Sequence, residues 1–78
     1  MFYVYILKLK NDQFYTGFTR DLKTRIKRHT QSAIKTTARV KPKELVFYAA
    51  FKREKSALNF EKYLKSSSGF AFRNKRLI

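Results

Sequence analysis

The hydrophobic positions of this chain fall into short blocks whose spacing predicts three strands. Phe2–Leu9 is apolar on both alternating faces, as expected of a strand that is covered on two sides. The polar segment Lys10–Gln13 joins it to Phe14–Thr19, which is rich in β-forming residues, so the two strands are predicted to make a hairpin. Glu44–Phe51 is again apolar on both faces and is predicted to be the third strand.

Two further segments are predicted to be helices. Either Thr19 or Asp21 can cap a first helix that runs from about Arg20 to Ala33. The stretch REKSALNFEKYLKSSSG predicts a second helix, with Ser56 as its cap and Gly69 as its end.

The remaining segments complete a single small domain, residues 1–78. Ile34–Lys43 is basic, carries the only proline and is predicted to be a loop. The C-terminal FAFRNKRLI is predicted to be a short helix or tail that docks through Phe70, Phe72 and Leu77. The order β-β-α-β-α-α predicts an α+β fold, in which a three-stranded, mainly antiparallel sheet is flanked by helices.

The charge of the chain indicates the class of its partner. Nineteen Lys and Arg residues stand against five acids, which gives a formal net charge of +14. Solubility requires a much smaller net charge, so the protein is expected to bind a polyanion. A surface that is merely well solvated is the simpler alternative. Nucleic acid is favoured over a membrane surface, because no segment forms a basic helix with a continuous apolar side.

Cysteine usage and the N-terminal segment bear on the compartment. The sequence contains no cysteine, which excludes disulfides and thiolate metal sites and fits a reducing cytoplasm. Met1–Leu9 is apolar, but no basic region precedes it and no small-residue cleavage site follows. It is therefore interpreted as a strand and not as a signal peptide, and no segment is long enough to span a bilayer.

The first helix places two chemically capable side chains beside its apolar face. At about 100° per residue, Leu22, Ile26 and Ala33 define the buried side. His29, the only histidine, falls between the core direction and the flank, and Arg25 lies just outside it, one turn earlier.

The second helix carries an acidic residue where its pattern calls for an apolar one. Ala57, Phe60 and Leu64 form the predicted buried stripe, and Leu58 widens it. Glu61 falls inside this arc, where a carboxylate loses hydration at a cost of several kcal/mol unless a cation or metal ion compensates it. A structural ion pair, most simply with Arg25 of the first helix, and a functional role both explain it.

The hairpin is expected to bring two phenols together. Tyr3 and Tyr5 share one face of the first strand, and Tyr15, Gly17 and Thr19 share one face of the second. Tyr5 and Tyr15 can therefore lie near each other, and Gly17 leaves room for an approach to the sheet. An isolated tyrosine at such a position is more commonly a packing residue than a catalytic one.

Together these residues resemble the GIY-YIG endonuclease domain, which occurs in homing endonucleases, in the nuclease module of bacterial excision repair and in short stand-alone proteins. The first signature corresponds to YVYIL, with Val4 and Tyr5 in place of Ile-Tyr. The second corresponds to YTG, Tyr15 to Gly17, ten residues after Tyr5.

The two helices extend the resemblance over nearly the whole chain. DLKTRIKRH is similar to the family helix whose arginine, eight residues after the second signature, is Arg25. His29 matches the position four residues further on, which is His or Tyr in the family. SALNFEKYLK resembles the helix that carries the single metal-binding glutamate, which falls on Glu61.

Three positions depart from the family pattern. Tyr3 stands where the first signature has Gly, a substitution shared with short stand-alone members. Phe18 stands where excision-repair members have Lys, so that a phosphate contact is missing or is supplied by Arg20. Asn74 lies near the position of the family's C-terminal Asn without a secure register.

The resemblance implies a metal-dependent endonuclease that hydrolyses phosphodiester bonds in DNA, with a role in the repair or processing of branched or damaged DNA. The implied catalytic residues are Tyr5, Tyr15, Arg25, His29 and Glu61. Glu61 would hold one Mg²⁺ or Mn²⁺, since five acids in the chain are few for a two-metal site.

The implied roles follow from what the reaction requires. Arg25 would grip the phosphate and offset its developing charge. Tyr15 or His29 would accept the proton of the attacking water, and Tyr5 would hold that water or share the role. Which of these three is the general base stays open.

DNA is expected to lie across a basic surface around this site. The predicted contact residues are Arg20, Lys23, Lys27, Arg28, Lys35, Arg39, Lys41 and Lys43. So small a domain has little room for sequence reading, which favours a structure-selective or weakly specific DNA target and a partner protein. The alternatives are a nucleic-acid-binding module of the same fold that does not cleave, and an RNA-associated basic protein.

Overall fold

The sheet has the predicted three strands, all antiparallel. The computed structural model describes residues 1–30 and 42–78 of the chain. β1 (Phe2–Leu9) lies in the centre, between β2 (Phe14–Thr19) and β3 (Pro42–Phe51), in the order β2-β1-β3. Both β2 and β3 are therefore edge strands.

In the described residues, three helices complete the predicted order β-β-α-β-α-α. They are α1 (Leu22–Thr30), α2 (Glu54–Leu64) and α3 (Ser67–Arg76). The α+β fold expected from the sequence is confirmed. None of the helices in the described part of the chain is long and apolar enough to cross a membrane.

The central strand is covered on both faces, as its unbroken apolar sequence predicted. Successive side chains of a strand point to opposite faces, so Val4 and Ile6 lie on one side and Tyr5 and Leu7 on the other, all of them buried. The two sides belong to two separate hydrophobic clusters. The first is called the α2 face below, and the second the α1 face, after the helix that packs on each.

α2 covers its face with a narrower stripe than the sequence predicted. Ala57 and Leu64 are fully buried and Phe60 is partly buried against the same cluster. Leu58, which was expected to widen the stripe, is 42% exposed.

The start of α1 is fixed by one of the two predicted caps. The Asp21 carboxylate accepts hydrogen bonds from the backbone N–H of Thr24, at 3.1 Å, and from its hydroxyl, at 2.8 Å. These two bonds lower the pKa of Asp21. The helix accordingly begins at Leu22 and not at Arg20, while its predicted end at Ala33 lies outside the described residues.

β3 differs from its prediction at its start and on one face. It begins at Pro42, so Pro42 and Lys43 belong to the strand and not to the predicted loop, the rest of which lies outside the described residues. Leu45 and Tyr48 on the α1 face of this strand are 37% and 55% exposed, so the described residues leave that face partly open. The apolar pattern on both faces of Glu44–Phe51 therefore does not correspond to equal burial of both faces.

The predicted boundaries of α2 were wrong at both ends. Arg53, and not Ser56, is the N-cap, and it makes no capping hydrogen bond with its side chain. The helix ends at Leu64, and Gly69 lies inside α3 instead of terminating α2.

Gly69 serves close packing and not a left-handed turn. A Cβ atom at this position would overlap the backbone carbonyl oxygen of Tyr63. Ser66 caps α3 by accepting a hydrogen bond from the Gly69 N–H at 3.2 Å. The start of α3 therefore lies directly against the end of α2.

The C-terminal helix docks through a different face from the one predicted. Leu77 packs against the α2-face cluster as expected, but Phe70 and Phe72 are 53% and 37% exposed. Gly69 and Arg73 are buried, so the inner face follows positions i, i+4 and i+8 up to Leu77. The two phenylalanines fall outside that row.

Candidate active site

The site is organised around the phenol of Tyr5 on the central strand. Tyr5 is fully buried and pairs in register with Gly17 of β2. A Cβ atom at Gly17 would overlap the Tyr5 hydroxyl, so the glycine is required for the phenol to lie against the edge strand. The space that the sequence predicted above Gly17 is occupied by this side chain.

Three rings meet where α1 crosses the hairpin. Tyr5 Oη lies 2.8 Å from His29 Nε2, which makes a buried hydrogen bond between strand and helix. The Tyr15 ring completes the group, with its centroid 5.1 Å from that of His29 and 6.2 Å from that of Tyr5. His29 is fully buried, deeper than its angular position on the helix predicted.

The two remaining predicted residues act electrostatically on the same phenol. Burial raises the pKa of Tyr5 well above its ordinary value, and the neighbouring Tyr15 raises it further. The Arg25 guanidinium lowers the pKa of Tyr5, while the Glu61 carboxylate raises it. Tyr15, Arg25 and Glu61 therefore all lie within electrostatic range of Tyr5, although they come from β2, α1 and α2.

The Tyr5–His29 pair is held in its neutral state. Burial lowers the pKa of His29, and the positive charges of Arg25 and Arg28 lower it further. At neutral pH a neutral imidazole thus faces a protonated phenol. An uncharged imidazole next to a proton donor is able to accept a proton, which is the state that general base catalysis needs.

The lowered pKa of His29 predicts how stability depends on pH. The unfolded chain binds a proton on His29 near pH 6.5, whereas the folded protein binds it only at lower pH. The contribution of His29 is therefore complete above about pH 6.5 and is lost progressively as the pH falls below that value. We expect the melting temperature to decrease between about pH 6.5 and pH 5, a window above the ordinary carboxyl pKa values.

Circular dichroism melts at a series of pH values check this expectation, together with an NMR titration of the single imidazole. In His29→Gln the decrease of the melting temperature across that window should flatten. A His29 pKa at or above its ordinary value would contradict the prediction.

Glu61 has a different environment from the one predicted. Its side chain is 21% exposed, so it retains contact with solvent and is not fully buried. Within residues 1–30 and 42–78 its ion-pair partner is Lys65, with Nζ 3.2 Å from Oε2, and not Arg25. The Glu-to-Lys spacing of four residues along one helix could have predicted this pair from the sequence.

The carboxylate fits a divalent ion that keeps most of its water. In the described part of the chain, no three His, Cys, Asp or Glu residues are grouped closely enough to form a metal cage. Mg²⁺ is commonly bound through only one or two carboxylates, with waters and substrate phosphates as the other ligands. The solvent-accessible Glu61, which lies within electrostatic range of Tyr5, agrees with that kind of ligand set.

A groove of about 460 Å³ leads away from Arg25 along the start of α1. Arg28 also lines it, whereas Arg20 lies across it and donates two hydrogen bonds to the Glu54 carboxylate. Arg20 is thus engaged in an exposed ion pair, which weakens its assignment as a substitute phosphate contact.

The predicted DNA-binding residues are only partly described. Lys23, Lys27, Arg28 and Lys43 are exposed, as a contact surface requires. Lys35, Arg39 and Lys41 lie outside the described residues.

Asn74 makes an interaction that the sequence did not predict. Its Oδ1 accepts hydrogen bonds from Nε and Nη2 of Arg73, at 3.2 and 3.0 Å.

Comparison with known proteins identifies the family of this arrangement. Residues 1–76 match the profile of the GIY-YIG catalytic domain. The UPF0213 protein CPE1444 of Clostridium perfringens is 41% identical over 66 residues, which is 83% of this chain and 71% of that protein. The UPF0213 protein BH0048 of Halalkalibacterium halodurans is 39% identical over 67 residues, 85% of this chain and 71% of its own length.

The fold is also similar to a solved structure. The solution NMR structure of the UPF0213 protein BH0048 from Bacillus halodurans superposes with a TM-score of 0.60 at 33% sequence identity. The match covers 99% of this chain and 87% of that one.

Proposed function

This protein belongs to the GIY-YIG family, a family of nuclease domains, and we propose that it is a metal-dependent endonuclease that hydrolyses phosphodiester bonds in DNA. The observation that supports the proposal most directly is the buried hydrogen bond between Tyr5 and His29. A binding module has no need for a neutral imidazole and a high-pKa phenol with an arginine and a carboxylate in range.

Arg25 is the proposed phosphate ligand. A guanidinium presents paired N–H groups that match two phosphate oxygens, and its charge opposes the negative charge that develops as the phosphorus is attacked. Its position on the groove along α1 leaves it accessible to a DNA backbone.

The three rings are proposed to accept the proton of the attacking water. Tyr15 is only half-buried, while Tyr5 and His29 are fully buried, so Tyr15 is the member that solvent and substrate can reach. Tyr5 Oη can take up a proton while it passes its own proton to Nε2 of the neutral His29 across the 2.8 Å hydrogen bond between them.

Glu61 is the proposed ligand of one Mg²⁺ or Mn²⁺. Such an ion supplies Lewis-acid stabilisation of the phosphate and of the leaving oxygen. On the protein side, Lys65 Nζ lies 3.2 Å from one oxygen of the Glu61 carboxylate and orients it until substrate is bound.

The proposed substrate is branched or damaged DNA that arises during repair or processing. The protein is proposed to recognise the structure of this DNA more than its sequence. A partner protein is expected to add selectivity. The cytoplasm is the proposed compartment, in keeping with a sequence that has no cysteine.

Incubation of the purified protein with supercoiled plasmid tests the activity. We expect relaxed and linear DNA to form with Mg²⁺ or Mn²⁺, and none to form with EDTA. DNA binding without cleavage under all metal conditions would favour the binding module instead.

DNA binding is expected to weaken steeply with salt. The basic side chains along α1 neutralise phosphates and release counterions, with a log–log slope of about −0.9 for each phosphate neutralised on a duplex. Fluorescence anisotropy of a labelled duplex over a range of KCl concentrations, with EDTA present, measures the slope. An affinity that is nearly constant from low to moderate salt would contradict an electrostatic interface.

A further inference from the structure

α3 exposes aromatic side chains that the proposed active site does not use. Phe70 is 53% exposed and Phe72 is 37% exposed. Tyr63 of α2 is 42% exposed and lies beside Phe72, with ring centroids 6.0 Å apart. Several large aromatic groups exposed together are typical of a contact surface.

The Arg73 guanidinium packs against the ring of Phe70. Its guanidinium carbon lies 4.3 Å from the ring centroid of Phe70 and 5.0 Å from that of Phe14 on β2. Arg73 is only 8% exposed, and Asn74 accepts two hydrogen bonds from it. Phe14, Arg73 and Phe70 therefore form a fixed stack, called here the Phe70 platform, and the part of the Phe70 ring that Arg73 does not cover faces solvent.

The surroundings of the platform suit an anionic ligand with a flat ring. α3 contains no acidic residue, and its last turns carry Arg73, Lys75 and Arg76. A hollow of about 330 Å³ adjoins the stack. It is lined by Gln13, Phe14, Phe70 and Arg73. The Gln13 amide can both donate and accept hydrogen bonds, as the edge of a nucleobase requires.

We propose that the Phe70 platform binds an unpaired base of single-stranded DNA. The base stacks on Phe70, its edge faces Gln13, and the adjoining phosphates meet Lys75 and Arg76. Stacking on an aromatic side chain together with cationic contacts to the backbone is the general mode of single-strand binding. In a duplex the bases are paired and stacked inside the helix, so no unpaired base is available to stack on Phe70.

The platform and the proposed active site lie on opposite faces of the edge strand β2. Phe14 and Tyr15 are consecutive residues, so Phe14 belongs to the α2 face and Tyr15 to the α1 face of the same edge strand. The inference rests on the proposed function because it takes DNA as the ligand. It narrows the proposed substrate to DNA that contains an unpaired segment.

Phe70→Trp provides a direct test, because the chain contains no tryptophan and the new indole reports from this position alone. In EDTA, which excludes cleavage, titration with a twelve-nucleotide oligothymidylate should quench the indole fluorescence to saturation. A twelve-base-pair duplex should bind without comparable quenching. No quenching by the single strand, or equal quenching by both, would overturn the proposal.

Affinity measurements separate stacking from other contacts. Phe70→Ala should weaken single-strand binding about tenfold and duplex binding less than twofold. Phe70→Leu, which keeps an apolar group but has no ring, should be weakened similarly. Leu58→Ala, at an exposed apolar position of α2, should bind as wild type does.

A Phe70→Leu variant with wild-type affinity would show a merely apolar contact and overturn the proposal, as would RNA of the same length bound tenfold more tightly than DNA. Melting temperatures near that of wild type show that the variants are folded. The proposed nuclease activity is tested separately from the platform. If the protein meets these binding expectations but does not cleave plasmid, only the proposal of endonuclease activity is refuted.

Discussion

Glu61→Gln is expected to abolish metal-dependent cleavage while leaving DNA binding and folding nearly unchanged. Glutamine has the shape of glutamate but no charge, and it is a poor ligand for a hard divalent ion at a site with one carboxylate. The stabilisation that the ion supplies to the reaction is several kcal/mol, so the rate should fall by more than about a hundredfold. The decrease in plasmid cleavage measures this.

The structure also defines what Glu61→Gln does to stability. The lost ion pair with Lys65 is partly exposed and spans one helical turn, and pairs of this kind contribute about 0.3–0.5 kcal/mol. The melting temperature should therefore change little. A drop equivalent to about 3–5 kcal/mol, the cost of stranding a buried charge, would instead indicate a structural role for the carboxylate.

Glu44→Gln is the matched control. It removes one of the five acids from an exposed position of β3, and so raises the net charge from +14 to +15 just as Glu61→Gln does. Both variants should bind duplex DNA alike, and only Glu61→Gln should lose cleavage. Equal cleavage by the two variants would refute the assignment of Glu61.

Arg25→Ala is expected to lose cleavage by a factor of about 10²–10³, the usual effect of removing one group that stabilises the charge of a transition state. Folding should persist, because Arg25 is only partly buried at the margin of the α1 face. Single-turnover cleavage of plasmid and a thermal melt of the same preparation separate the two effects.

Arg25→Lys tests whether the planar fork matters as well as the charge. It restores one positive charge without the bidentate geometry, so it should recover only part of the activity. Lys10→Ala, in the exposed turn between β1 and β2, removes a charge elsewhere and should cleave at the wild-type rate. An Arg25→Ala protein that melts far below wild type would show that the residue supports the fold.

Much of the site could be predicted because it depends on local geometry. The alternation of β1 assigns Tyr5 to one face, and the angle between Arg25 and His29 on α1 assigns both to the helix edge that meets that face. Asp21, as one of two candidate caps, set the start of that helix within two residues. The five candidate residues were therefore identified in the correct elements before their contacts were known.

The errors occurred where one element had to be placed against another. Glu61 was expected to be buried, with an ion pair to Arg25 as one of two explanations. Its pattern on α2 gives a direction and no depth, and its ion-pair partner in the described residues is Lys65 of the same helix. Phe70 and Phe72 were expected to dock, yet Gly69 lets α3 approach α2 so closely that Arg73 and Leu77 face inward instead.

By itself the sequence determined the order of the elements, the antiparallel hairpin and the strong positive charge, since hydrophobic period, turn residues and composition are local properties of the chain. Only the tertiary structure decided that His29 is fully buried on Tyr5, that Tyr48 of β3 is more than half exposed and that Phe70 is stacked over Arg73. These outcomes depend on contacts between residues distant in sequence, and such contacts are set by how closely whole helices and strands pack.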